Sequence, residues 1–249
     1  MPYILYRNDE NKKIRLAAII SLGVAAAIFP PAIVFALLLL CDDSKAKIKA
    51  LRASIVLGIF LITTIGASAY IGFENAAEYF KAAFAIPAAP VLGNVSIQNS
   101  LALLGLDNVP VRYIITILTS AIIITGMFIL PSQWQKASAA LCLMLNLISA
   151  DKNMILIFAF VPFVLLLAEK VHRSADWLYL LAFTLFITPI PEWTYFDSEG
   201  YRELFSLFNL PVTNCINELV APFAMLILTI GIVVQTVQVI KKKLNTQAQ

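Results

Sequence analysis

The sequence predicts an all-α fold, a polytopic bundle of about eight membrane segments forming one membrane domain over residues 1–249. Three observations predict it. First, 60% of the 249 residues are hydrophobic and only 13% charged, with a mean hydropathy of +0.85. A soluble domain carries about 45–50% apolar and about 25% charged residues. Second, the apolar residues gather into Leu16–Cys41, Ala53–Phe73, Tyr113–Leu130, Ala137–Ala150, Met154–Ala168, Trp177–Pro191 and Leu219–Ile240. Third, fourteen of the 18 Lys and Arg residues fall on one side once these stretches are threaded, leaving Lys81, Arg112, Lys152 and Arg202 on the other. Basic residues concentrate on the cytoplasmic side of membrane proteins. The composition excludes a soluble enzyme, a nucleic-acid binder, a disordered regulator and a secreted disulfide scaffold.

Residues 1–15 read as a cytoplasmic lead-in and not as a cleavable leader, because a polar stretch from Tyr6 to Arg15 precedes the first apolar run. That run has basic residues on both flanks: Arg7, Lys12, Lys13 and Arg15 before it, and Lys45, Lys47, Lys49 and Arg52 after it. Pro30-Pro31 in its middle removes helix hydrogen bonds and forces a break. The halves, Leu16–Phe29 and Ala32–Cys41, are each short of a full crossing at about 1.5 Å per residue. A V-shaped hairpin satisfies both observations; the alternative is one long, kinked crossing helix. Ala137–Ala150 and Met154–Ala168 repeat the shape, with Asp151-Lys152-Asn153 at the tip and Lys136, Lys170 and Arg173 on the flanks. Both termini, including the tail 241–249, are then cytoplasmic, and two outer loops, 74–111 and 192–217, are where function is expected.

The first outer loop opens with Phe73, Ala77, Phe80 and Phe84 at i, i+4, i+7 and i+11, opposite Glu74, Glu78 and Lys81. That spacing reads as a helix in the outer interface, or for its first turn as the exit of the preceding helix. After Pro87 and Pro90 come Asn94, Ser96, Gln98, Asn99 and Ser100, a dense polar set for so apolar a chain. Amides and hydroxyls suit a hydroxyl-rich ligand because they both donate and accept. They equally suit a turn that caps a helix over Leu101–Leu106, with Asn99 or Ser100 as N-cap. Asp151, Lys152 and Asn153 are the sharpest ionisable cluster near membrane depth, where charge is expensive and functional. Lys152 could hold a phosphate as a point charge; Asp151 could neutralise it, orient it or act as a base. A solvated tip held by an Asp–Lys contact is the structural alternative. The second outer loop sets Glu192, Asp197, Glu199 and Glu203 beside Trp193, Tyr195 and Tyr201, with Arg202. That mixture suits sugar stacking and acid–base work, or a membrane-interface belt.

Cys41, Cys142 and Cys215 stand singly, so neither a disulfide framework nor a metal site is expected, and no cofactor motif occurs. His172, the single histidine, sits in a short basic loop as a solvated residue.

The segments LAAIISLGVAAAIFPPAIVFALLLL, VLGNVSIQNSLALL and LNLISADKNMILIFAFVPFVLLL, in that order, resemble the C-terminal half of glycosyltransferase family 87 in the GT-C superfamily. The resemblance covers roughly residues 14–170. It implies a GT-C-like membrane enzyme transferring a hexose, often mannose, from a polyprenyl-phosphate donor to a glycan or glycolipid acceptor on the outer face of the plasma membrane. Gly93-Asn94-Val95-Ser96 looks like the family's Gly-Asn-x-Ser loop, and Ser149 and Asp151 match a second family tip in kind. Phe29-Pro30 keeps an aromatic-proline pair, while Ile28 stands where the family has lysine. The resemblance makes Lys152 a donor-phosphate contact and Asn94, Ser96 and Asn99 sugar or acceptor contacts; Gln98, Asp151 and Asn153 complete the candidate set. The catalytic base is unknown, because the family carries its catalytic acid in a first outer loop N-terminal to the matched region. A separate N-terminal half is therefore an expected partner, beside the bilayer and the lipid-linked sugar, with no nucleic acid. The alternatives are a non-catalytic partner subunit or pseudoenzyme, and a small transporter with a site at its broken helices.

Overall fold

The computed structural model describes residues 4, 6, 9–42, 44–83, 94–106, 108–150, 152–169, 176–188 and 217–247. Among these the chain is all-helical, with no strand. It forms two compact units, Met1–Phe84 and Ala85–Gln249.

In the first unit, α1 (Lys12–Ile28) is capped by Asn11, whose side chain accepts from the Lys13 amide at 3.0 Å. It stops where the two prolines require: Phe29 leaves helical geometry and Pro30 opens a 3₁₀ helix, Pro30–Ala36, continued by the short α2 (Leu37–Leu40). The long α3 (Ala46–Ile71) follows. Gly23 of α1 lies against Ile59 of α3, and Ala27 and Ile28 lie level with Thr64, Ala67 and Ser68. Residue numbers rise together, so α1 and α3 run parallel. The intervening segment must therefore lead the chain back to its starting level, which is the hairpin geometry rather than one continuous kinked helix. Two contacts fasten its return end to the first turns of α3: Lys49 Nζ donates to the Leu40 carbonyl at 2.8 Å, and Arg52 pairs with Asp42 at 3.6 Å, both side chains buried. Gly72 then takes φ +94°, a backbone state that L-residues avoid, and separates α3 from α4 (Phe73–Ala83). α4 is thus a distinct amphipathic helix and not the exit of α3. Phe73 and Ala77 are exposed on it, while Ala76 is buried. Phe84 and the Pro87–Pro90 stretch lie outside the described residues.

In the second unit the elements are α5 (Ile97–Leu103), α6 (Val109–Ile129), α7 (Gln133–Leu147), α8 (Lys152–Leu167), α9 (Asp176–Ile187) and α10 (Asn217–Gln247). The side-chain contacts set their directions. Asn146 near the end of α7 bonds the first half of α6, so these two are antiparallel. Trp134 at the start of α7 stacks edge-on with Tyr179 at the start of α9, with centroids 5.1 Å apart. Lys152 at the start of α8 reaches the Thr188 carbonyl just past α9. α7 and α8 therefore fold back on each other after residues 148–150, as the second hairpin pattern predicts. α7 is the core of this unit. Its Ala137, Ala139, Ala140, Leu141, Leu143, Met144 and Leu145 are all buried, and small residues let neighbouring backbones approach closely.

Among the described residues three helices are long and apolar enough to cross a membrane: α3, α6 and the part of α10 from Val220 to Thr246. At about 1.5 Å per residue, the 26, 21 and 31 residues of α3, α6 and α10 measure about 39, 31 and 46 Å. A hydrocarbon core is about 30 Å thick.

Candidate functional site

The polar residues Asn94, Ser96, Gln98, Asn99 and Ser100 do not lie free at the surface. They fold into a buried knot at one end of the second unit. Asn94 uses both ends of its amide: Oδ1 accepts from the Ser96 amide at 2.9 Å, and Nδ2 donates to Ser149 Oγ at 2.5 Å. The Val95 amide donates to the Ala150 carbonyl at 2.9 Å. Segments more than fifty positions apart are thereby tied together, immediately before Asp151.

Ser96 is the N-cap of α5, its Oγ accepting from the Asn99 amide at 3.2 Å. The helix runs over Ile97–Leu103 and not Leu101–Leu106, and neither Asn99 nor Ser100 caps it. The misplacement has a simple cause: Ser96, Asn99 and Ser100 all carry N-cap chemistry, and the backbone decides among them. Asn99 instead donates back to the Asn94 carbonyl at 2.7 Å. Ser100 Oγ lies 3.1 Å from the carbonyls of both Ser96 and Pro222, the latter linking α5 to α10. Asn94, Ser96, Gln98, Asn99 and Ser100 are all at least 97% buried.

One residue of this knot is not singled out by its sequence context. Arg112, which charge counting assigns simply to the outer side, is completely buried. Asn108 caps α6 through the Val111 amide and Pro110 occupies its first turn, so α6 begins before the apolar run and carries Arg112 inside it. Arg112 Nη1 reaches the Gln98 carbonyl at 3.4 Å, and Gln98 Nε2 reaches the Arg112 carbonyl at 3.3 Å. One turn further along α6, Thr116 Oγ1 donates to the Arg112 carbonyl at 2.8 Å. Asn146 Nδ2 then bonds the Thr116 carbonyl, Thr119 Oγ1 and Ser120 Oγ at 2.8–3.0 Å. The polar chain thus runs from the loop into the interior between α6 and α7. A signal for Arg112 does exist in the sequence: Asn108-Val109-Pro110 is a helix-start pattern, which places the arginine one turn inside the helix.

The tip residues divide. Lys152 is half-buried in the first turn of α8, where Nζ donates to the Thr188 carbonyl at 3.2 Å and lies 5.9 Å from the Phe186 ring centroid. Its charge therefore sits at the negative end of α9. Asn153 is exposed on the same turn. Asp151 lies outside the described residues, as do His172, Cys215 and residues 192–216 of the second outer loop. Chemically, this end of the unit offers amides, hydroxyls and two cations, a set that hydrogen-bonds neutral hydroxyls and attracts anions.

Long apolar helices and a hydrogen-bonded polar knot buried among them define the class, an α-helical membrane protein. No family model, no curated protein and no solved structure matches the chain.

Proposed function

We propose that this protein is a membrane glycosyltransferase of the GT-C type, moving a hexose from a polyprenyl-phosphate donor to a glycan or glycolipid acceptor at the outer face of the membrane. The observation that carries the reading is the junction of Asn94 with Ser149 and of Val95 with Ala150. These bonds join the two segments that resemble the family's loop and tip motifs, although they stand far apart in the chain. In this reading Lys152, which follows that junction in the chain, exchanges its contact with the Thr188 carbonyl for the donor phosphate. The Asn94–Asn99 turn, buried and hydrogen-bonded within itself, braces this junction from behind. A base removes the acceptor proton as its oxygen attacks the anomeric carbon, and the lipid phosphate leaves.

In the proposed topology the four hairpin halves and the Trp177–Pro191 stretch count as membrane segments beside the three long helices. That makes eight in all, with both termini on the cytoplasmic side of the plasma membrane.

The test is a transfer assay in membranes holding labelled polyprenyl-phosphate mannose. The protein transfers label to an endogenous glycan, and a Lys152→Ala plus Asn94→Ala variant loses at least ten-fold of that rate at unchanged protein level. Full transfer by the double variant, or none by the unaltered chain, overturns the reading.

A further inference from the structure

We propose that the basic end of the first unit is a docking surface for anionic phospholipid headgroups. Because α1 and α3 run parallel, their first turns lie at the same end of the unit. They bring together Lys12, Lys13 and Arg15 with Lys45, Lys47 and Lys49. Lys12, Lys13, Lys45 and Lys47 are exposed. Among the described residues the acids at this end are Asp42, paired with Arg52, Asp9, whose Oδ1 accepts from the Asn11 amide, and the exposed Glu10; Asp43 lies outside the described residues.

The placement runs against helix electrostatics. The start of a helix is its positive end, where acids stabilise and cations destabilise. Neither α1 nor α3 has an acid in its first turn, whereas α4 carries Glu74 and α9 carries Asp176 there. A cluster of cations on two positive helix ends is stabilised by external anions.

The neighbouring surface identifies which anion. Ile14, Leu16, Ile48 and Leu51 are exposed between the basic positions, and α3 beyond them is a bilayer-length apolar helix with almost no buried surface. A soluble polyanion complements the lysines and leaves the isoleucines and leucines in water. A phospholipid satisfies both, with its phosphate at the lysines and its chains along α3.

The full chain, reconstituted in phosphatidylcholine vesicles with a trace of spin-labelled phosphatidylglycerol or spin-labelled phosphatidylcholine, reports the preference as the ratio of motionally restricted label. The expected result is a roughly ten-fold preference for phosphatidylglycerol that falls steeply with added salt. It drops to near parity in the Lys12→Gln, Lys13→Gln, Lys45→Gln, Lys47→Gln variant, and about half-way in Lys45→Gln, Lys47→Gln alone. A Lys241→Gln, Lys242→Gln, Lys243→Gln variant retains it. Parity in the unaltered protein, or a preference that survives the four substitutions, overturns the proposal. So does displacement of the labelled lipid by a short oligodeoxythymidine, which transfers the patch to nucleic acid.

Discussion

Ser96 shows how much one hydroxyl can organise. It is fully buried, caps α5 and stands between Asn94 and Asn99, so the knot's bonds converge on it. Ser96→Ala strands the Asn99 amide away from water, and a lost N-cap costs about 1–2 kcal/mol. Thermal unfolding in detergent should show the loss, and an unchanged midpoint refutes the capping role. Asn146 is a different case. Its amide nitrogen, with two hydrogens to donate, lies within 3.0 Å of three oxygens on α6, while its Oδ1 is buried with no hydrogen-bond partner. Replacing it with leucine removes the bonds and the unsatisfied oxygen together. The net loss is expected to stay near 1 kcal/mol, in line with hydrogen bonds between membrane helices. A loss of several kcal/mol by the same measurement contradicts this.

At the scale of elements, packing depends on glycines that let helices touch. A Cβ on Gly231 of α10 would come within 2.7 Å of the Tyr179 ring of α9. That ring is itself held edge-on by Trp134 of α7, so it has little freedom to move aside. Gly231→Leu therefore overpacks the α9–α10 contact and destabilises by about 1–3 kcal/mol, measurable as a lowered melting temperature. An unaltered melting temperature shows that the two helices separate without strain. The break at Phe29 belongs to this scale as well. Pro30-Pro31 announces it in the sequence because proline forbids the interior of a helix. The direction taken after the break is a different matter, set by α1 packing beside α3 in parallel.

At the scale of the molecule, the charge asymmetry becomes a testable topology. In a background with Cys41, Cys142 and Cys215 replaced by serine, single cysteines at exposed positions report sidedness with a membrane-impermeant thiol reagent. Lys47→Cys and Lys242→Cys should label only from the cytoplasmic side, and Lys81→Cys and Asn153→Cys only from the outer side. Lys47 and Asn153 labelling from the same side defeats the eight-segment arrangement.

Composition and charge were enough to establish a helical membrane protein, and local patterns were enough to place the break at Pro30-Pro31 and the two short helices on either side of residues 148–150. These are properties of hydrophobicity, proline geometry and hydration, which act on neighbouring residues and so can be read along a chain. The polar cluster of the first outer loop was visible as composition, but its roles were not. Whether Asn94 meets a ligand or Ser149, and whether Ser96 or Asn99 caps the helix, depends on which groups the fold brings within 3 Å. The burial of Arg112 was likewise decided by tertiary structure, because α6 starts a turn before its apolar run and α5 packs against the arginine through Gln98. The amino-acid sequence by itself determined the solvent this protein lives in and where its helices break; the packing of those helices decided which polar groups are neighbours, since hydrogen bonds reach only about 3 Å and the chain places such partners dozens of residues apart.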